Sequence, residues 1–204
     1  MYIPEYYKLE DKDTINNFIE KYSFATLFSQ HNGEPWATHL PIVFNKGENA
    51  LYGHISHGNR QWEDAIDQQV LTVFQGPHCY ISPSSYDTHQ KVPTWNYVSI
   101  HVYGKMEIFN DKDKVLRHLN DLVNKYEQSD SPYNYQNVNP AYIEGMLDEL
   151  VAFKIHITKI EAQAKLSQDH PVERQELVSK YLERHPDENA RKVAALMRKN
   201  LNKQ

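Results

Sequence analysis

The chain has 204 residues and a formal net charge of −5, enough length for one sizeable core or a core with a small appendage. An apolar fraction of 40% and a charged fraction of 24% are those of an ordinary globular protein. No apolar run approaches the ~18 residues a membrane-crossing helix needs, and the N-terminus MYIPEYYKLEDKD lacks the basic-then-apolar pattern of a secretory signal. A cytoplasmic protein is therefore expected, with no membrane partner. The lone Cys79 cannot form an internal disulfide, which suits a reducing compartment, and it reads as a small buried apolar side chain. Residues 1–170 carry 14 basic and 22 acidic side chains, residues 171–204 carry 8 and 5. The body repels a phosphate backbone, and only the tail is a candidate for attracting one.

In chain order, 13–22 predicts a helix with Ile15, Phe18, Ile19 and Tyr22 on one face. The period then falls to two. FATLFSQ (24–30) predicts a strand and Asn32-Gly33 a hairpin turn. PWATHLPIVF (35–44) follows as a second strand, interrupted at Pro41. Residues 50–56 form another strand and 59–66 a helix start. Two strands are expected at 70–76 and 79–83, separated by Gly76-Pro77. A polar loop at 86–93 leads into the longest β-like stretch, 92–109. Helices are expected at 111–128 and 141–150, a last strand at 150–162, and two tail helices at 171–185 and 189–200. About six mostly antiparallel strands with helical excursions make an α+β fold, mostly β, and a small barrel or strongly curved sheet is the economical solution. No Gly-x-Gly-x-x-Gly or Walker loop is present.

Three segments concentrate chemistry. In YGHISHGNRQWEDA (52–65) a strand meets a helix at Gly58, presenting backbone N–H groups, a hydroxyl, an imidazole and an amide, with Arg60 nearby. That set suits an anion, the structural alternative being a capped turn facing solvent. In TVFQGPHCYISPSSY (72–86) the carboxamide of Gln75 can pair with a planar ligand's amide edge, or satisfy a bulge. VPTWNYVSIHVYGK (92–105) is dense in aromatic and hydrogen-bonding side chains, suited to a ligand or an interface; a base-stacking surface, flanked only by Lys91 and Lys105, is the weaker reading. His39, His54, His78 and His101 fall on separate strands, which keeps a metal or haem site as an alternative, although no His-Glu-x-x-His occurs. No Gly-x-Ser-x-Gly elbow or convergent carboxylate pair stands out, so no catalytic residue is assigned.

MYIPEYY (1–7), ATHLPIVF (37–44), GHISHGNRQW (53–62), VFQGPHCYISPSSY (73–86), VPTWNY (92–97), VYGK (102–105), ELVAFKI (149–155) and AQAKLSQ (162–168) together resemble the PaiB-like family of FMN-binding negative transcriptional regulators of protease synthesis and sporulation. The resemblance implies a split β-barrel of the FMN-binding type over 1–168, a C-terminal helical extension over 169–204, and a homodimer with FMN near the subunit interface. It brings Ser56, His57 and Asn59 to the cofactor phosphate, with Trp62 buttressing their turn. It places Gln75 and His78 near the ring or ribityl chain, Thr94, Trp95 and Asn96 on the approach from the other subunit, and Lys165 as a second phosphate contact. DNA is an implied partner. The basic side chains available for it are in the tail, from Arg174 to Lys203; their structural alternative is the polar face of two amphipathic helices. The competing functions are a flavin-dependent oxidoreductase acting on a small substrate, and a haem- or metabolite-binding split barrel.

Overall fold

The computed structural model describes residues 1–66, 68–86, 92–134 and 137–202. Most of the expected loop at 86–93 lies outside these residues, as does Lys203 of the basic tail set. Helix α1 (Lys12–Lys21) precedes strands β1 (Phe24–His31), β2 (Glu34–Pro41), β3 (Val43–Asn45) and β4 (Ala50–Ser56). The short α2 (Gln61–Ala65) leads to β5 (Gln69–Ile81) and β6 (Thr94–Phe109). Helices α3 (Lys112–Tyr126) and α4 (Pro140–Leu147) come before β7 (Leu150–Lys165), and α5 (Val172–Glu183) and α6 (Glu188–Leu201) end the chain. The strands form one sheet in the order β2-β1-β5-β6-β7-β4-β3. Among the described residues, no helix is long and apolar enough to cross a membrane.

Local sequence explains most boundaries. Asn32 and Gly33 take positive φ (53° and 78°), the left-handed pair that a two-residue hairpin needs, and set the register Phe24↔Pro41 through His31↔Glu34. Pro41 ends β2, so the expected 35–44 strand is two strands. Asp111 caps α3 by accepting from the Lys114 N–H at 2.9 Å, and Asp187 caps α6 through Asn189 at 2.9 Å. The expected break at Gly76-Pro77 does not occur. Strand β5 runs through it, and the pair absorbs a change of face: Val70, Thr72, Phe74 and Gly76 are buried, then Pro77, Cys79 and Ile81. This one-residue shift leaves Gln75, His78 and Tyr80 exposed. The last strand also runs further than expected, so Lys165 ends β7 instead of sitting on a link to the tail.

The chain forms two compact units. One comprises 16–74 and 101–160. Its core holds Leu27, Leu51, Phe74, Phe153 and Ile155, all completely buried. A Cβ on Gly104 would lie 2.5 Å from the His156 carbonyl oxygen, so the strands meet there at a distance only glycine permits. The other unit comprises 1–15, 75–100 and 161–204. Its core includes Ile81, Val178, Leu182, Val193 and Met197, with α5 and α6 packed as a helical hairpin.

Candidate functional site

In the first unit, the loop from Ser56 to Trp62 joins β4 to α2. It is a tightly bonded turn. The His57 N–H donates to the Glu149 carbonyl at 2.8 Å and the Asn59 N–H to the Ser56 carbonyl at 2.9 Å. The Gly58 N–H donates to Ser56 Oγ at 3.3 Å, and the Gln61 N–H to Asn59 Oδ1 at 3.1 Å. These four backbone donors are therefore spent within the protein. Beside them the loop presents two side-chain groups, the Ser56 hydroxyl hydrogen and the His57 imidazole. Arg60 is engaged with Glu63 at 3.1 Å.

Asn59 also turns inward. Its Nδ2 donates to Thr38 Oγ1 at 2.8 Å while its Oδ1 takes the Gln61 N–H. Thr38 donates in turn to Gln61 Oε1 at 2.6 Å, and Gln61 Nε2 donates to the Leu27 carbonyl at 3.2 Å and to Ser29 Oγ at 3.0 Å. Gln61 is completely buried, so this network holds the loop against β1 and β2. Thr38 and Gln61 were within reach of sequence reasoning only as members of the ATHLPIVF and GHISHGNRQW stretches; nothing in their residue type separates them from ordinary surface polar groups. Trp62 does buttress the turn: its Nε1–H donates to the His57 carbonyl at 3.2 Å and the two rings lie 5.5 Å apart.

His57 and Trp62 open onto a cavity of about 530 Å³ whose walls include Ile108, Phe109, Val115 and Val151, with Asn110 and Lys112 among its polar groups. The lining also carries two carboxylates, Glu144, which pairs with Lys112, and Asp148; the volume is that of a cofactor or small-molecule site.

The other unit holds the remaining expected residues. Trp95 is exposed, with the His78 ring 6.3 Å and the Tyr80 ring 6.1 Å away. His78 Nδ1 lies 3.1 Å from the Gly76 carbonyl, so Nδ1–H donates to it. Lys165 donates to Thr94 Oγ1, and its ammonium lies 5.9 Å from the Tyr7 ring centre. Both line a cavity of about 210 Å³ with Tyr7, Tyr86 and Asp169. Burial, then the hydrogen bond to Asp169, raises the Tyr7 hydroxyl well above the ordinary phenol range, so it stays protonated. Asn96 is completely buried, donating to Ser167 Oγ at 2.9 Å with Met197 Sδ at 3.6 Å. It ties β6 to the turn after β7 and to α6. That turn explains the KLSQ sequence: Ser167 sits at φ 68°, and Gln168 accepts from the Leu166 N–H at 2.6 Å and donates to the Ala164 carbonyl at 2.6 Å.

Among the described residues, no three His, Cys, Asp or Glu side chains come together as metal ligands, so His39, His54, His78 and His101 do not converge. His54 instead pairs with His118, Nδ1 to Nε2 at 3.3 Å.

A family described as "Putative FMN-binding domain" matches residues 1–159. The chain belongs to this family. It is 39% identical over 208 residues to the protease synthase and sporulation protein PAI 2 of Bacillus subtilis, with all of both chains covered. Among solved structures it is similar to the flavocytochrome Anf3 of Azotobacter vinelandii, with a TM-score of 0.62 and 15% identity over 80% of this chain and 72% of that one. It is also similar to the FAD- and haem-binding protein of Mycobacterium smegmatis, with a TM-score of 0.55 and 14% identity over 78% and 73%. The fold is the FMN-binding split barrel with C-terminal helices, and FMN is the cofactor of the family to which the chain belongs.

Proposed function

We propose that the chain is an FMN-binding negative regulator of protease synthesis and sporulation genes. The observation that carries this reading is the end-to-end similarity to PAI 2, which leaves no part of either chain unmatched.

FMN fits the residues at the Ser56–Trp62 loop. The hydroxyl of Ser56 and the imidazole of His57 are the donors left over for a phosphate, Trp62 fixes the carbonyl behind them, and the adjoining cavity supplies apolar walls. Asn59 and Asn96 are positioning residues, because their carboxamides are already committed. Gln75, His78, Thr94, Trp95 and Lys165 are proposed as the second set of contacts, as the resemblance implies. When bound, FMN supplies reversible electron transfer; the protein binds and orients it.

A homodimer is proposed through the outer face of the β1–β2 hairpin. There Phe24 and Phe28 are 66% and 39% exposed, opposite Pro41 and Ala37. Apolar sheet surface of this kind is characteristically covered by a partner.

Several basic side chains of the tail make contacts within it. Arg198 pairs with Glu183 at 2.7 Å, Lys192 with Glu188 at 2.9 Å and Lys180 with Glu176 at 3.7 Å, while Arg191 donates to the His185 and Pro186 carbonyls. Of these ion pairs, Arg198–Glu183 crosses between α5 and α6. A visible absorption spectrum of freshly purified protein, followed by a salt-dependent gel shift on protease and sporulation promoters, tests the proposal. A colourless protein that does not take up added FMN overturns the cofactor reading; no preference over random DNA at moderate salt overturns direct regulation of DNA.

A further inference from the structure

A second cavity of about 410 Å³ lies in the same unit, between α3 and the ends of β3, β4, β6 and β7. Its floor is aromatic. Tyr52 lies 6.0 Å from Phe109 and 6.5 Å from His118, ring centre to ring centre, and His118 is buried with no partner for its Nδ1 among the described residues. Its walls carry charge of both signs, and the two sides differ in how that charge is spent.

On the sheet side both carboxylates are engaged by neighbouring side chains. Glu48 accepts from Tyr52 Oη at 2.6 Å and from Lys154 at 2.5 Å, and Glu107 contacts His156 at 2.5 Å. On the helix side the charged groups are not engaged in this way. Lys114, Arg117 and Asp121 fall on one stripe of α3, all exposed, and among the described residues none of the three side chains has an ion-pair partner within 4.0 Å. Lys114 acts on Glu107 only at longer range. A guanidinium four residues before a carboxylate, neither taken, facing an aromatic floor, matches a small molecule with one carboxylate, one ammonium and an apolar body.

We propose that this cavity binds a zwitterionic α-amino acid with an aromatic or large apolar side chain, or a short peptide presenting one. Arg117, assisted by Lys114, takes the carboxylate in a forked hydrogen bond. Asp121 takes the ammonium, and Tyr52, Phe109 and His118 form the surface beneath the side chain. Phe109 also lines the cavity beside His57, so a ligand here lies one side chain from the proposed flavin cavity. The inference does not depend on FMN, since none of Arg117, Lys114 and Asp121 belongs to that site.

The test is calorimetric titration of the purified full-length protein, with whatever flavin it carries, using L-phenylalanine, glycyl-L-phenylalanine, N-acetyl-L-phenylalanine and phenethylamine. Binding of either of the first two, with at least a tenfold loss for N-acetyl-L-phenylalanine and phenethylamine, supports the proposal, and the stronger of the first two identifies the free amino acid or the peptide. Arg117→Gln and Asp121→Asn lie on the exposed stripe and are expected to keep the melting temperature and flavin content while weakening binding at least tenfold. No heat from either zwitterion at millimolar concentration overturns the proposal. So does equal binding of phenethylamine, or binding unchanged in Arg117→Gln.

Discussion

The Thr38 hydroxyl donates to Gln61 Oε1 at 2.6 Å, joining strand β2 to the first residue of α2. Through that bond and the Asn59 carboxamide, the β4–α2 loop is fastened to the hairpin in front of it. Gln61→Ala leaves the Leu27 carbonyl, Ser29 and Thr38 without the partner that Gln61 provides, in a fully buried setting. The expected cost is about 2 kcal/mol or more, read as a lower urea midpoint with unchanged slope. A midpoint equal to that of the parent protein shows that the network does not hold the loop.

The His54–His118 pair makes stability depend on pH. Burial, then the charge of His54, pushes the His118 imidazole down to about 4, and burial lowers His54 in the same direction. Folded and at neutral pH, both rings are uncharged, and an N–H of one meets a ring nitrogen of the other across the 3.3 Å contact. The unfolded chain takes up protons near the ordinary histidine value, so it binds more protons than the folded state between that value and about 4. The contribution is complete above the unfolded value and is lost as pH falls through this window. It is worth roughly 3 kcal/mol for His118 alone. Urea midpoints from pH 7 to pH 4 measure it; a slope that is the same in His118→Gln assigns the effect elsewhere.

Most strands and all the longer helices are legible because period two or period 3.6 coincides with a burial face, and because Asn32-Gly33, Asp111 and Asp187 carry turn and cap chemistry in their own residue types. Gly76-Pro77 misleads for a physical reason. The pair ordinarily interrupts a ladder, but here it changes the strand's face without ending it, and only the partner strands reveal that. The candidate site is legible as segments and not as roles. Asn59 and Asn96 are expected as ligand contacts because the GHISHGNRQW and VPTWNY stretches resemble those of the family. Their commitment to Thr38, Gln61 and Ser167 depends on residues 21 to 71 positions away or on backbone geometry no local pattern encodes.

Cys79 is expected to be chemically inert in the native protein. It lies on β5 facing the core, and burial, followed by the negative charge of Asp187, pushes its thiol up to about 12. The thiolate needed for attack is scarce at neutral pH. Iodoacetamide at pH 8 should label native protein far more slowly than urea-unfolded protein. Equal rates mean that the cysteine is accessible and the core near it opens readily.

Gly104 permits the close approach of β6 to β7 in the 16–74 and 101–160 unit. A methyl group there meets both the His156 carbonyl oxygen and Ile155 Cγ2 at 2.5 Å. The first obstacle is backbone, which cannot turn aside. Gly104→Ala should cost about 1–3 kcal/mol, measured by thermal unfolding; full stability would mean the strands separate without loss.

Binding and positioning fall to different residues of the β4–α2 loop. Ser56 is exposed and its hydroxyl hydrogen is free for a ligand, so Ser56→Ala should leave the melting temperature of the apoprotein nearly unchanged and weaken FMN binding about tenfold, the scale of one lost charge-assisted hydrogen bond. Asn59→Ala removes the donor to Thr38 and the acceptor for the Gln61 N–H, so it should lower apoprotein stability by about 1–2 kcal/mol, with any loss of FMN affinity following from a loosened loop. Flavin fluorescence quenching and apoprotein melting, measured on both variants, distinguish the two roles. If Asn59→Ala melts like the parent yet loses FMN, its carboxamide contacts the phosphate after all and the loop must rearrange to expose it.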